Sequence, residues 1–319
     1  MGLNNQIFAV RPSSTPETVS LDLVWTQGDG GGLDGGYTSA TPIPADGSLA
    51  LLAYDKTAQR TDVYALSPAE PWVKRVGSGI NLDGGPWDSV DNFVLGNERY
   101  LLTYRTEDGT FGFFRLGKDF SVSAPYKVQM LRNTPTTGFT TVAPFTSLSG
   151  QYILGYNFND GTVAAFSVTV TPSSPPNVPP LLFLNVWYHH WARGWTRFAF
   201  FQMGGANFFF KINTAKLNVN IDHLRDNPAA GTVEVGSFLQ SQLPDALSID
   251  VAASLPWSHG EPYFLTYIAS SGATKVYHIH ADCLGWTQVA ARATVAGASL
   301  IVPYRLGDAT YALFYGTGK

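Results

Sequence analysis

The sequence predicts an all-β fold, a six-bladed β-propeller in which strands from both ends of the chain complete one blade. Its main support is a phrase that occurs six times, a turn glycine followed six to eight residues later by the residue that closes an apolar strand. The six pairs are Gly47/Tyr54, Gly96/Tyr104, Gly150/Tyr156, Gly194/Gln202, Gly260/Tyr267 and Gly307/Tyr315. The closing positions are 50, 52, 46, 65 and 48 residues apart, and a period near 50 with several short strands is typical of propeller blades. Helix should be scarce, because no stretch of ten or more residues combines helical periodicity with caps.

Each unit contains two consecutive apolar runs, which we interpret as the second and third strands of a blade. The first run ends at the closing residue, and the second ends in an aromatic residue, as in FGFFRL around Phe114. A short turn rich in Gly, Asn or Asp separates them, which is typical of a hairpin. The innermost strand should precede each glycine, so that the segment Phe183–Trp195 becomes the inner strand of the fourth blade. The 65-residue interval predicts an enlarged outer connection or, alternatively, a lid over a pocket.

The sixth unit is incomplete, since only four residues follow Tyr315. The N-terminal segments Asn5–Val10 and Val19–Gln27 read as a third and a fourth strand, and we expect them to complete this blade. Such a closure removes open sheet edges. The sequence therefore predicts one domain that spans residues 1–319.

Composition limits the classes of partner. The net charge is −4 and Lys and Arg do not cluster, which argues against nucleic acid as a partner. No apolar run has the length needed to cross a bilayer, so we expect no membrane partner. The lone Cys283 and the absence of an Asn-x-Ser/Thr sequon favour a cytoplasmic protein, with a secreted protein whose signal has been removed as the alternative. We expect a monomer or a weak homodimer.

The segment FLNVWYHHWARGW, Phe183–Trp195, is the most unusual in the chain because it combines three Trp and one Tyr with two adjacent His. His189 and His190 point to opposite sides of a strand, so only one faces a given cavity. Two interpretations stay open: both are structural histidines, or one lies in a ligand pocket. No spacing of His, Cys, Asp or Glu indicates a metal site, and no cofactor motif occurs, so we expect neither a metal nor a cofactor.

The loops that enter the inner strands and the loops between second and third strands should share one face of the ring. That face collects Trp87 and Asp88, and the polar residues Arg105 and Asn157, which follow two of the closing tyrosines. They either point into the mouth of a central pocket or are solvated turn residues. Together with Tyr156, Trp187 and Trp257, we assign Trp87, Asp88 and Asn157 as candidate substrate-binding residues.

Three classes of function fit a six-bladed propeller. A fucose lectin repeats an Arg/Glu/Trp sugar site between blades, whereas here the scaffold residues repeat and the polar residues do not. An interaction scaffold of the WD40 kind carries Trp-Asp in each blade, whereas here it occurs once, at Trp87-Asp88. One asymmetric pocket rich in aromatics suits a small apolar or aromatic substrate. Carbohydrate binding by a lectin is the main alternative, and an interaction scaffold is the third.

In its length, blade divergence and aromatic segment around Trp187–Trp191, the chain resembles the fungal hetero-Diels–Alderases of tropolone sesquiterpenoid biosynthesis. The resemblance implies a pericyclase of secondary metabolism that joins a tropolone-derived o-quinone methide to a terpene without a cofactor. It also implies roles. His189 or His190, with Tyr188, would orient the tropolone oxygens, and Arg105 would stabilise the anionic tropolonate. Trp87, Trp187 and Tyr156 would form walls around the terpene.

Overall fold

A computed structural model gives the fold and describes residues 4–12, 18–28, 32–45, 48–123, 128–131, 135–147, 150–170, 181–227, 232–243, 248–257 and 262–316. Within these ranges the structure contains strands and no α-helix. Accordingly, the described residues include no helix that could span a bilayer. The expectation of an all-β protein is confirmed.

The strands form six small sheets, which are the six blades of a β-propeller. The first five blades follow one another along the chain, and the main strands of each run from the innermost outward in chain order. Blade one contains β3 (Ser39–Ala45), β4 (Ser48–Asp55), β5 (Arg60–Leu66) and β6 (Val73–Ile80), and blade two contains β7 (Ser89–Leu95), β8 (Glu98–Arg105) and β9 (Thr110–Leu116). Blade three contains β11 (Thr141–Ser147), β12 (Gly150–Tyr156), β13 (Thr162–Val170) and β14 (Leu181–His190), with β10 (Val128–Leu131) parallel to β14 as a fifth strand. Blade four contains β15 (Arg197–Met203), β16 (Ala206–Asn213), β17 (Asn218–Asn227) and β18 (Thr232–Gln242), and blade five contains β19 (Val251–Leu255), β20 (Tyr263–Ile268), β21 (Ala273–Ile279) and β22 (Trp286–Ala293).

Blade six is built from both ends of the chain. Its inner strands are β23 (Ala298–Leu306) and β24 (Ala309–Gly316), and its outer strands are β1 (Gln6–Pro12) and β2 (Val19–Thr26). β1 pairs antiparallel with β24, with Ile7 opposite Leu313. β23 also contacts β3, which closes the ring of inner strands. The predicted two-plus-two closure is confirmed.

The repeated tyrosine has a structural cause, because it joins each blade to the next. The inter-blade tyrosines are Tyr54, Tyr104, Tyr156, Tyr267 and Tyr315. Each hydroxyl accepts a hydrogen bond, at 2.9–3.3 Å, from the backbone N–H of a residue at or just before the start of the next inner strand, respectively Trp87, Phe139, Trp195, Ala298 and Tyr37. An apolar cluster fills each of the six gaps between neighbouring blades, so the core of the protein lies between the blades.

Blade four differs from the prediction. Its inner strand is β15, which contains the run RFAFFQ that we had interpreted as a second strand, and its second strand is β16. Ile212 is therefore the counterpart of the inter-blade tyrosines: its carbonyl accepts the Thr196 N–H at 2.9 Å, as that of Tyr54 accepts the Thr38 N–H at 2.8 Å. With Ile212 in place of Gln202 the intervals become 50, 52, 56, 55 and 48 residues. The long interval reflected this misalignment and did not indicate an inserted connection.

The segment Phe183–Trp195 is consequently not an inner strand. Its first part lies in β14, the fourth strand of blade three, and its remainder forms the loop into blade four. The prediction failed because two aromatic-rich runs, RFAFFQ and NFFFKI, follow each other and blade four has no closing tyrosine to tell them apart.

Candidate functional site between blades three and four

A cavity of about 560 Å³ lies between blades three and four, and we call it the blade 3–4 cavity. One wall is formed by the end of β14 and the following loop, and the other by the three outer strands of blade four. Its aromatic lining comes from blade three and the loop: Trp187, His189, His190, Trp191 and Trp195. Its polar lining comes from blade four: Lys211, Asn220, Asp222, Glu234, Ser237 and Gln240.

The position of this cavity corrects the expectation of a pocket at the ring axis for the Trp187–Trp191 segment. No residue of the inner strands β11 and β15 lines it. The aromatic residues of β14 reach blade four because β14 contacts β18, the outermost strand of that blade.

The aromatic wall is continuous. The Trp187 ring lies 5.6 Å from the His189 ring and 6.0 Å from the Trp191 ring, measured between centroids. Trp191 in turn stacks on Phe209 of β16 at 5.4 Å. The Trp191 N–H donates to the Gly161 carbonyl at 2.8 Å, which holds the start of the loop against the β12–β13 turn. These fixed faces suit a flat or apolar ligand surface.

The two histidines stand at the exposed end of β14. The His190 backbone N–H donates to His189 Nδ1 at 3.0 Å, so Nε2 of His189 is the nitrogen left to donate when the ring is neutral. His190 Nε2 lies 3.5 Å from the Thr162 hydroxyl oxygen. Both rings line the blade 3–4 cavity, so the expectation that only one of them faces a given cavity is wrong.

Lys211 and Asp222 form an ion pair beneath these rings. Lys211 is 4% exposed and Asp222 is 2% exposed, and Lys211 Nζ contacts Asp222 Oδ2. The ammonium also lies 3.8 Å from the centroid of Trp191 and 4.7 Å from that of Trp195. Burial lowers the pKa of Lys211 and raises the pKa of Asp222, because removal from water disfavours both charged forms. Their mutual attraction opposes both shifts.

This pair is an exception among six equivalent positions. Asp222 pairs with Phe209 in the sheet, and the residues at the same register in the other five blades are all aromatic: Tyr64, Phe114, Phe166, Tyr277 and Phe8. The position of Lys211, one residue before the closing position, holds no other charged residue: Ala53, Thr103, Gly155, Thr266 and Phe314. Blade four therefore replaces part of the apolar packing with a buried ion pair, at the one gap where the tryptophan-rich loop passes over it.

Three of the residues that line this candidate site are also candidates from the sequence. The structure brings Trp187, His189 and His190 together in the blade 3–4 cavity, as candidate residues of one pocket. It adds Trp191, Trp195, Lys211, Asp222 and Glu234, which were not selected. The signal for Asp222 was present, because a repeat aligned on Ile212 shows an acid where five blades have an aromatic residue.

The remaining predicted residues of blades two and three lie outside this cavity. Tyr188 is 43% exposed on the same side of β14 as His190, with its ring 5.6 Å from that of His190, but it does not line the cavity. Trp87 is buried and its indole N–H donates to the Leu82 carbonyl at 3.1 Å. Asp88 pairs with Lys56 at 2.5 Å and accepts the Thr106 N–H at 2.7 Å. Each of these residues is thus placed by contacts within its own region.

Four further predicted residues are also spread over the ring. Arg105 pairs with Asp108 and donates to the Gly84 carbonyl at 2.7 Å, above the Trp87 ring. Tyr156 is the inter-blade tyrosine beneath the loop, and the Asn157 side-chain oxygen accepts the Asn159 N–H at 2.9 Å. Trp257 lies against Tyr263 at 4.6 Å, in the cluster between blades five and six. The candidate residues do not form one central pocket.

A larger hollow of about 940 Å³ is lined by residues of blades one and two, including Pro44 and Leu116. Its Arg115 is paired in a fork with both carboxylate oxygens of Glu98 at 2.7 Å. The described residues that line this hollow include no aromatic residue, and its Arg115–Glu98 pair is half-exposed. We therefore place the candidate functional site in the blade 3–4 cavity. The described residues contain no group of three His, Cys, Asp or Glu arranged to hold a metal ion.

Comparison with known proteins places the fold. A protein from Bacteroides fragilis assigned as a 6-phosphogluconolactonase matches with a TM-score of 0.55 and 10% identity, over 95% of this chain and 85% of its own. A protein of the same assignment from Bacteroides uniformis matches with a TM-score of 0.54 and 11% identity, over 94% and 86%. A protein from Bifidobacterium bifidum assigned as an exo-β-1,3-galactanase matches with a TM-score of 0.52 and 8% identity, over 92% and 99%.

The chain shares their propeller fold. At these identities the likeness extends to the fold alone. No family model matches the sequence, and no curated protein matches it. None of the three structures named here is a hetero-Diels–Alderase, so that resemblance stays a prediction.

Proposed function

We propose that this protein is a cofactor-independent enzyme that binds a small molecule with a flat or apolar face in the blade 3–4 cavity. The observation that carries the proposal is the buried Asp222, paired with Lys211, at a position where the other five blades have an aromatic residue. Burial of each ion costs several kcal/mol of folding free energy. Replacing a buried ion pair with well-packed apolar residues often leaves the stability of a protein unchanged or raises it. The fold alone therefore gives no reason for the exchange, whereas a reaction that needs charge in a dry site does.

The cavity contains two kinds of group that a reaction without cofactor needs. Trp187 and Trp191 present rings that can orient a ligand. The entropy loss of bringing two reactants together then occurs on binding and no longer adds to the barrier of the reaction. His189, His190 and the Lys211–Asp222 pair can polarise oxygen atoms of the ligand or hold a proton beside them. Glu234 adds a second carboxylate to the lining.

The specific reaction that we propose to test first is the hetero-Diels–Alder addition of a tropolone-derived o-quinone methide to the alkene of a terpene. This addition forms one C–C bond and one C–O bond, and no atom leaves either reactant. It is supported by the sequence resemblance and by the aromatic wall of the cavity. Trp187 and Trp191 would stack on the flat diene, and His189 or His190 would hydrogen-bond to its oxygen atoms.

The test compares the rate and the stereochemistry of the addition with and without protein. An o-quinone methide is generated in situ in the presence of humulene, and the product is followed by chiral chromatography. We expect a faster reaction and an excess of one stereoisomer, and loss of both in Trp187→Ala. As a control, Trp72→Ala removes a tryptophan that packs on Tyr311, far from the cavity, and should leave the reaction unchanged. Equal rates and racemic product with and without the wild-type protein would exclude this activity.

Carbohydrate binding is the second candidate, and the lining of the cavity favours it specifically. Tryptophan faces beside the side chains of Asn220, Gln240 and Glu234 offer a stacking surface together with hydrogen-bond donors and acceptors for hydroxyl groups. A lectin should bind a glycan array through this cavity and be inhibited by a monosaccharide, whereas a pericyclase should not. Binding to glycans that is lost in Trp187→Ala would replace the enzyme proposal with this one.

A further inference from the structure

Two residues that line the blade 3–4 cavity each carry a buried side-chain atom with no hydrogen-bond partner among the described residues, namely Asp222 Oδ1 and Trp195 Nε1. Asp222 is 2% exposed and Trp195 is 5% exposed. The Ser237 hydroxyl is near the carboxylate and moderates the burial-driven rise of its pKa, but it makes no hydrogen bond of normal geometry to Oδ1. A buried donor or acceptor without a partner costs about 1–3 kcal/mol, so native structures rarely leave one unused.

The fold does not require the indole N–H of Trp195 to be unpaired, as the equivalent tryptophan of blade two shows. Trp87 occupies the same position in the loop before blade two, and its indole N–H donates to the Leu82 carbonyl at 3.1 Å. Both tryptophans stand two positions before the first residue of an inner strand, and each donates its backbone N–H to an inter-blade tyrosine. No carbonyl among the described residues accepts the Trp195 indole N–H, and Trp195 lines the cavity instead.

The free acceptor and the free donor lie around one group. Asp222 Oδ2, the second oxygen of the same carboxylate, contacts the Lys211 ammonium, and this ammonium is 4.7 Å from the centroid of the Trp195 ring. Both unpaired atoms therefore belong to side chains beside the same ammonium, and one ligand ring placed there would pair them both. The ring would need one group that donates a hydrogen bond and a nearby oxygen that accepts one.

We propose that the cavity recognises a ring that carries a hydroxyl group next to a second oxygen. The hydroxyl donates to Asp222 Oδ1, the neighbouring oxygen accepts the Trp195 indole N–H, and a face of the ring lies against Trp187 or Trp191. This inference rests on the site of the proposed function and names the chemistry of its ligand. Two sources share that chemistry, a sugar with adjacent ring oxygens and an aromatic or tropolone ring with a hydroxyl beside a carbonyl.

The first experiment changes the ligand and leaves the protein intact. Quenching of tryptophan fluorescence, in a buffer acidic enough to keep the tropolone hydroxyl protonated, measures the dissociation constants of tropolone and of its methyl ether, 2-methoxytropone. In parallel it measures a panel of methyl pyranosides and their monodeoxy analogues. Loss of the hydroxyl should weaken binding at least tenfold, since Asp222 Oδ1 then stays unpaired. The arm in which this loss occurs identifies the source of the ring.

The second experiment changes the protein. Trp195→Phe keeps an aromatic ring and removes only the indole N–H, and we expect it to weaken binding of the preferred ligand about tenfold while the protein remains folded. Asp222→Asn should abolish the preference for the hydroxyl over its methyl ether. Trp286→Phe is the matched control, because Trp286 packs between blades four and five on Phe210 and Phe264, outside the cavity, and should leave the dissociation constant unchanged.

The outcomes separate this inference from the proposed function. Equal binding of hydroxyl and methoxy ligands, unchanged binding in Trp195→Phe, or binding of no ligand in either panel would each overturn the inference. An addition reaction that is catalysed on rings without a hydroxyl would overturn it while the enzyme proposal stands. Hydroxyl-dependent binding without any catalysed addition would support the inference and contradict the pericyclase activity.

Discussion

The hydroxyl of Tyr156 donates to the Ala192 carbonyl at 2.9 Å and accepts the Trp195 backbone N–H at 3.3 Å. These two bonds hold the end of the loop that carries Trp191 and Trp195, and the Tyr156 ring also packs on Trp191 at 5.7 Å. The residue that makes the repeat visible in the sequence is therefore the support beneath the aromatic wall of the candidate site.

Removal of this hydroxyl should affect both stability and binding. In Tyr156→Phe the Trp195 N–H and the Ala192 carbonyl lose their partner, and we expect the free energy of unfolding to fall by about 1–3 kcal/mol. Because the loop loses its anchor, ligand affinity at the blade 3–4 cavity should also fall. Urea denaturation and fluorescence titration measure the two effects.

Tyr54→Phe provides the control for that experiment. The Tyr54 hydroxyl accepts the Trp87 backbone N–H at 3.0 Å, the same bond between blades one and two. We expect a similar loss of stability with no change of affinity at the cavity. An equal loss of affinity in both variants would mean that the effect reflects general loosening of the ring.

The Lys211–Asp222 pair should behave as a coupled unit. Lys211→Thr leaves Asp222 buried without its partner, and Asp222→Phe leaves Lys211 buried without its partner. Each single variant should lower the free energy of unfolding by about 3–5 kcal/mol. The double variant reproduces the Thr103 and Phe114 arrangement of blade two. It should be neutral or stabilising by about 1–4 kcal/mol relative to the wild type, and it should not bind the ligand.

A double-mutant cycle in urea measures this coupling. Single variants that each cost less than about 1 kcal/mol would contradict a desolvated ion pair, since that is the range of exposed pairs. A double variant that retains full ligand affinity would show that the pair takes no part in the site.

Gly161 positions the start of the loop, and an alanine there should displace it. Its φ is +84°, and an added Cβ would lie 2.2 Å from the Trp191 carbonyl oxygen. Gly272 in blade five is its counterpart, with φ +72° and 2.4 Å to the Thr294 carbonyl oxygen. Gly161→Ala and Gly272→Ala should each lose about 1–3 kcal/mol, and only Gly161→Ala should weaken ligand binding. Thermal unfolding and titration of both variants check this difference.

The inter-blade tyrosines predict a loss of stability at alkaline pH. Burial raises the pKa of Tyr104 and of Tyr315 to about 12, from an ordinary value near 10. A pKa that is higher in the folded state stabilises the protein fully below pH 10, and this contribution is lost as the pH rises from 10 to 12. The urea midpoint should therefore fall over this range. Tyr104→Phe should show a shallower fall, and a midpoint that stays constant to pH 12 would contradict the prediction.

Most of the fold could be read from the sequence because the repeat has a local chemical cause. Each closing tyrosine ends a short apolar strand and accepts a hydrogen bond from the backbone leading into the next blade, so its spacing reports the blade period directly. The same logic predicted the closure of blade six from Asn5–Val10 and the C-terminal hairpin. Blade four was misaligned because Ile212 makes no such bond and carries no recognisable mark.

The sequence by itself determined the all-β class, the six units and the unusual concentration of Trp and His around residues 187–195. Only the tertiary structure decided that this segment lies on an outer strand, and that it faces Lys211 and Asp222 of the next blade. The physical reason is that a strand pattern specifies which residues alternate between its two sides, whereas burial in a propeller depends on which neighbouring blade covers each side. The acid at position 222 stands out only when the strand register shows that the equivalent position in each of the other five blades is aromatic.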